Sequence, residues 1–266
     1  MGNSNWKDKL EDLAASQGGL FTAAQAQAIG AQRNQVARLA KRGVVESIDY
    51  GVYQFASACE ADNVGTKAAW LSLYPKETAY ERMRRQPLDA VVRGRTAAFL
   101  HGLGDFYPMP FCFAVSKRRQ TRRENIRCTE EAVDPCDVVL VDSLPTMTIE
   151  RTIADLVREG EDPTLLGRVI EDAARAGHDF DVERLAVLLA PLAEKHGYGD
   201  GASFARALLS ENARDAQRER FSRMIDAFRA SKATRISPDL LNLTVLYGEG
   251  LEEKNTVYPR TSRSDD

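Results

Sequence analysis

Trp6, Leu10 and Leu13 recur three to four positions apart, which places them on one face of a first helix ending before Gly18-Gly19. In "LFTAAQAQAIG" the pattern restarts. Thr22 is placed to cap a second helix through its hydroxyl, Gln25 to complete a capping box three residues on, and Leu20 and Phe21 to be buried at its start. This helix ends near Gly30. Over residues 33–42 Val36, Leu39 and Ala40 share one stripe of a third helix, while Asn34, Arg38 and Lys41 point the opposite way, flanked by Gln35 and Arg42. Gly43 closes it. The β-branched and aromatic runs "VVESI" and "VYQFA" are then joined by "DYG", a turn with glycine where positive φ is needed. Helix, helix, turn, helix, hairpin is the winged helix-turn-helix order.

Beyond residue 56 the pattern predicts two helical pieces, "TKAAWLSLY" and "PKETAYERMRR", the second with Pro75 in its first turn. A short strand in "DAVV" and a helix around Arg95–Leu103 follow. "FCFAVSK", "NIRCTEE" and "CDVVLVDSLPTMT" read as strands of a small sheet. From Thr148 the period is helical: "TIERTIADLVREG", "DPTLLGRVIEDAARAG", "DVERLAVLLAPLAEKHG", a long segment from about 203 to 230, and "SPDLLNLTVLYG". The fold class is therefore α+β. The expected organisation is a winged helix-turn-helix domain over 1–58, a helical connector over 59–88, an α+β domain with a helical second half over 89–250, and a flexible tail over 251–266.

Composition narrows the function classes. With 43% hydrophobic and 28% charged residues the chain can bury a core. Its formal net charge of -3 does not suggest a general polyanion binder, so any nucleic-acid surface has to come from local clustering. The polar start lacks the unbroken apolar stretch of a secretory signal, and no run is long enough to span a bilayer, so a cytoplasmic protein without a membrane partner is expected. Cys59, Cys112, Cys128 and Cys136 form no C-x-x-C pair; reduced thiols are expected, with no metal and no cofactor.

On the third helix, no carboxylate interrupts the stretch from Arg33 to Arg42. Asn34, Gln35 and Arg38 carry forked groups that can read base edges, and Arg33, Lys41, Arg42 and the wing residue Tyr50 suit phosphates or the minor groove. The densest charge is "SKRRQTRRENIR": Lys117, Arg118, Arg119, Arg122, Arg123 and Arg127 face only Glu124. As a second basic patch it invites phosphate; as a solvated hairpin edge it guards against aggregation. His101 at a helix end is read as a cap or packed residue, His178 and His196 lack ligand spacing, and Glu150 and Asp155 straddle Arg151 as local ion pairs. Catalytic signatures are absent: no G-x-x-x-x-G-K loop, no G-x-S-x-G elbow, no Gly-Ser with paired aspartates. The chain reads as a non-enzyme without catalytic residues.

"GGLFTAAQAQAIGAQRNQVARLAKRGVVESIDYGVYQF", with "VVRGRTAAFLHGLGDF" and "LPTMTIERTIADLV", resembles the AbiEi family of antitoxins from abortive-infection and type IV toxin-antitoxin systems. The later stretches are similar to the family's "SH.SA..LHGL" and "TS.ERTLADL" segments, with Arg93-Gly94 standing for Ser-His and Thr148-Ile149 for Ser-Pro. The resemblance implies an N-terminal domain that binds operator DNA upstream of its own operon and represses it. It also implies a C-terminal domain that counteracts a nucleotidyltransferase-like toxin without a stable complex. Two other readings compete: an interaction protein that masks the toxin directly, and a winged module targeting a nuclease, which here lacks a strand with an acidic residue followed by E-x-K.

Overall fold

Helix α1 (Asn5–Ala15) leads through Gly18 and Gly19 into a short strand β1 (Leu20–Thr22). The structure, a computed structural model, describes residues 5–58, 63–119, 121 and 123–210. Gly19 has φ +83, and a Cβ there would lie 2.3 Å from that of Ala58, so only glycine fits. Thr22 then caps α2 (Ala23–Ala28) as the sequence requires: its hydroxyl accepts from the Gln25 N–H at 3.0 Å, and the Gln25 amide oxygen accepts from the Thr22 N–H at 2.8 Å. Helix α3 (Arg33–Lys41) follows. The hairpin is β2 (Val45–Asp49) and β3 (Val52–Phe55), with Gly51 at φ +71 in its turn. The sheet has one strand more than the pattern announced, in the order β1-β3-β2, because the buried Leu20-Phe21-Thr22 run pairs with β3.

Helix α4 (Val64–Leu73) buries Thr66, Ala68, Ala69, Trp70, Leu71 and Leu73, covering almost its whole circumference. A helix apolar all round needs cover on several sides. One face meets Leu20 and Val52 of the winged module and another the second sheet, so a single apolar cluster runs from one to the other. Pro75 does not open the next helix. Thr78 does: its hydroxyl accepts from the Glu81 N–H, and α5 spans Ala79–Met83. Residues 75–79 instead form the corner that receives α2. Gln25 donates to the Glu77 carbonyl at 2.7 Å, Thr22 to that of Pro75, and the Ala79 N–H donates to Gln17 at 2.7 Å.

The second sheet is mixed, in the order β6-β5-β4-β8-β7. It comprises β4 (Ala90–Val92), β5 (Phe111–Val115), β6 (Ile126–Glu130), β7 (Val138–Val141) and β8 (Leu144–Met147). All five residues of β5 are buried, which is why "FCFAV" is continuously apolar rather than alternating. "CDVVLVDSLPTMT" holds two strands, not one, turning at Asp142 and Ser143 with φ 49 and 66. Helix α6 (Gly94–Leu100) and the helices α7 (Ile149–Glu159), α8 (Pro163–Ala176) and α9 (Val182–Ala193) share a further core of Ile153, Leu156, Val169, Ile170, Leu185 and Leu189. Thr148, Asp162 and Asp181 cap the last three. Residues 201–210 are helical; the rest of the segment to 230, "SPDLLNLTVLYG" and the tail lie outside the described residues.

Arg82 is fully buried. Its guanidinium donates to both carboxylate oxygens of Asp89 at 2.9 and 2.8 Å and to the Trp70 carbonyl at 2.6 Å, and it lies 3.5 Å from the centre of a Trp70 ring. Arg82→Ala leaves the buried Asp89 carboxylate with only the more exposed Arg85, 3.3 Å away, and is expected to lower stability by about 3 kcal/mol in urea unfolding, whereas Arg82→Met with Asp89→Leu, which removes both buried charges, recovers most of that loss.

Candidate nucleic-acid interface

The back of α3 is held by Val36 and Leu39, which pack with Leu10, Phe21, Ala26, Val45 and Phe55. Phe21 stacks on Tyr53 with ring centres 5.6 Å apart and meets Phe55 at a tilt of 45° with centres 5.4 Å apart. This fixes the rotation of the helix, and its opposite flank is open: Arg33, Asn34, Arg38, Lys41 and Arg42 are all exposed. None of the four cations makes an ion pair with a described carboxylate. Gln35 stands apart from that set. It is half-buried, and its amide oxygen accepts from the Gln32 N–H at 2.7 Å, closing the first turn of α3. Gly43, at φ +68, ends the helix, and the Val44 N–H returns to the Leu39 carbonyl at 3.0 Å to launch β2.

At the wing tip Tyr50 is 87% exposed. Its N–H donates to the Asp49 carboxylate at 2.7 Å, and Asp49 also pairs with Arg123, 74 positions away in the chain. The Arg123 guanidinium donates in addition to Ser72 at the end of α4, at 2.5 Å. Arg119 lies over the Tyr74 ring with 4.4 Å to its centre. Lys117, Arg118 and Arg127 are exposed, and Arg122 lies outside the described residues. The flanking strands are not a hairpin, so the alternative of a solvated hairpin edge does not apply. β5 and β6 pair in parallel, Phe111 opposite Ile126, so the basic stretch is a crossover along the sheet and β6 is its edge. Arg118, Arg119, Thr121, Arg127 and Glu130 line an open hollow of about 620 Å³ beside it.

A second cluster of charge is buried. Asp155, inaccessible on α7, takes ion pairs from Arg93 at 3.1 Å, Arg151 at 3.2 Å and Arg158 at 2.8 Å. Arg151 also reaches Asp137 at 3.1 Å and Glu131, and Arg184 on α9 reaches Asp137 at 2.7 Å. Surrounding carboxylates raise the affinity of Arg93 and Arg151 for their protons against the opposing effect of burial, so both stay charged. Burial pushes the Glu159 carboxyl up, although Arg93 lies 3.0 Å away. Except for Glu131 Oε2, which is buried without a hydrogen-bond partner, the group is internally paired, and it ties the start of α6 to α7 and α9. Local spacing gave the Arg151–Asp155 pair; the partners 14 to 62 positions away carried no sequence signal. Glu150 is not part of it: its carboxylate accepts from the Asp181 N–H at 3.1 Å and meets His178 at 2.7 Å.

His101 is the C-cap of α6, with Nε2 2.8 Å from the Met147 carbonyl, and burial lowers its pKa. His196 stacks on Phe204. Cys112, Cys128 and Cys136 are free thiols; Cys59 lies outside the described residues. Among the described residues no group of three or more His, Cys, Asp or Glu is disposed to hold a metal, and no helix is long and apolar enough to cross a membrane.

Residues 8–56 match the family described as "Transcriptional regulator, AbiEi antitoxin". The crystal structure of the RV2827C protein from Mycobacterium tuberculosis is similar over 88% of this chain and 83% of that one, at 16% identity and a TM-score of 0.47. Among curated proteins there is no match.

The commitment of Gln35 to its own backbone has a measurable consequence. Gln35→Ala is expected to lower stability by about 1 kcal/mol through loss of the cap, read as a drop in the denaturation midpoint, while leaving any base preference of the protein unchanged.

Proposed function

We propose, from a winged segment that matches the AbiEi antitoxin family of transcriptional regulators over residues 8–56, that this chain is the antitoxin and autorepressor of a type IV, AbiE-like toxin-antitoxin system. It binds operator DNA upstream of its own operon through α3 and the wing and counteracts a nucleotidyltransferase-like toxin. The observation that carries the reading is the open flank of α3, where Arg33, Arg38, Lys41 and Arg42 have no described carboxylate to neutralise them. Four uncompensated cations on a rigid rod, beside an exposed aromatic wing tip, are what a phosphate backbone rewards by counterion release. Asn34 and Arg38 add the forked donors and acceptors that distinguish base edges.

In this reading α3 lies in the major groove, Asn34 and Arg38 face the bases, Arg33, Lys41 and Arg42 hold flanking phosphates, and Tyr50 approaches the backbone or minor groove. Acting on DNA and not by chemistry, the chain needs no cofactor. A second reading, direct masking of the toxin, has one observation in its favour. The edge strand β7 exposes Val139 and Leu140, the latter 63%, next to an apolar hollow lined by Met83, Leu88, Val133 and Val138. An open strand edge with apolar side chains is a place for a partner to add.

Band shifts on the operon's upstream DNA test the first reading. Arg38→Ala and Asn34→Ala are each expected to lose about 1–3 kcal/mol of discrimination between operator and scrambled duplex, roughly 5- to 150-fold. Equal, salt-insensitive binding by the wild type and both variants overturns it. Co-purification of a stoichiometric complex with the neighbouring gene product would favour the masking reading instead.

A further inference from the structure

We propose that the basic crossover between β5 and β6 is a second seat for the DNA backbone, continuous with the wing and held in register with it by the Arg123–Asp49 pair. This rests on the reading of α3 and the wing as a DNA-binding surface and extends the contact to a part of the chain outside the winged module.

The crossover is concentrated charge in a chain whose formal net charge is -3. Guarding the sheet edge accounts for Arg127, which stands on β6, the edge strand itself. It does not account for Lys117 and Arg118, which follow the end of β5 and lie outside any ladder. Nor does it account for what the half-buried arginines do. Arg123 reaches across to Asp49, the residue just before the wing tip, and to Ser72; Arg119 settles over Tyr74. These contacts fasten the crossover to the wing and to the end of α4. The corner that follows α4 receives α2 through Thr22 and Gln25. The crossover and the helix-turn-helix are thus positioned by the same piece of structure.

Asp49 would otherwise set a bare negative charge next to the tip that has to approach phosphate. Pairing with Arg123 cancels it. Facing solvent are Arg118 and Arg127 on the rim of an open hollow and Lys117 beside them, three cations against the exposed carboxylates of Glu124 and Glu130, a surface of net positive charge with no fixed base-reading geometry. Phosphate is the ligand chemistry this fits, and attachment to the wing makes duplex backbone its source, since phosphates next to those met by a wing come within reach of what lies beside the wing tip.

The test is anisotropy titration of the full chain on operator and scrambled duplexes between low and moderate salt, with circular dichroism confirming fold. For the variant carrying Lys117→Ala, Arg118→Ala and Arg127→Ala, the slope of log affinity against log salt should become shallower by about 2.7, about 0.9 for each phosphate lost, with the operator-to-scrambled ratio unchanged. Replacing Arg118 and Arg127 by Lys should keep the wild-type slope, because a phosphate accepts either cation. Arg123→Ala should weaken binding to both duplexes several-fold, and Asp49→Asn added to it should restore part of the loss. A folded triple variant with the wild-type slope overturns the seat, as does a lost ratio at unchanged slope; no recovery with Asp49→Asn overturns the role given to the pair. If the wild type binds neither duplex, the reading of α3 fails with it. If the wild type binds and the triple variant matches it, only this extension fails.

Discussion

A guanidinium withdrawn from water has to find its partners inside the protein, and the middle of this chain is arranged around that demand. Arg82 is fully enclosed between the Asp89 carboxylate, the Trp70 carbonyl and the Trp70 and Tyr74 rings. Burial pulls its proton affinity down and Asp89 holds it up. Meeting all of these partners at once allows only one arrangement of α5 against α4 and β4. Within that arrangement the corner at residues 75–79 presents two carbonyls and an N–H to Gln17, Thr22 and Gln25, whose side chains are themselves buried. A buried amide left without these partners would cost on the order of 1–3 kcal/mol, so the docking of α2 is specific as well as close.

The same logic of buried polar groups recurs in the helical half. Asp155 and Asp137 lie inaccessible between α7, α9 and the sheet, each with more than one arginine. Such networks contribute less to net stability than their number of ion pairs implies, because each charge has first been desolvated. What they fix is geometry: apolar helices can slide over one another, whereas four arginines and their shared carboxylates fit together in one register. Among the described residues there are therefore two such polar keys, one at Arg82 and one at Asp155, with apolar clusters around them.

Much of the winged half was legible in the sequence because its determinants are local. The Thr22–Gln25 capping box, the Val36 and Leu39 stripe, Gly43 and the Gly51 turn each lie within a few residues of what they determine. Strand β1 was missed because three buried residues before a cap look the same whether or not β3 lies alongside. Helix α5 starts at Thr78 and not at Pro75 because the Thr78 hydroxyl and the Glu81 carboxylate close a capping box there, a local signal that the first-turn preference of proline obscured. The exposed flank of α3 followed from periodicity, but the engagement of Gln35 by Gln32 did not, since a helix's first turn can take its cap from several side chains. What spacing could not supply were pairings across many residues: the parallel match of β5 to β6, the partners of Asp155, and the contact of Arg123 with Asp49.

The docking of α2 on the 75–79 corner has a geometric corollary. A reading helix on a swivel leaves the remainder of its chain free to sample many positions around the duplex. In the proposed mode of binding the five-stranded sheet would inherit its place from α3: a groove and a direction chosen by the helix would already decide the side of the double helix that the sheet occupies and the length of DNA it overhangs. In that mode of binding the winged segment and the five-stranded sheet would sit on DNA as one piece, and the spacing a neighbouring copy must keep from that sheet becomes a property of the protein as much as of base sequence.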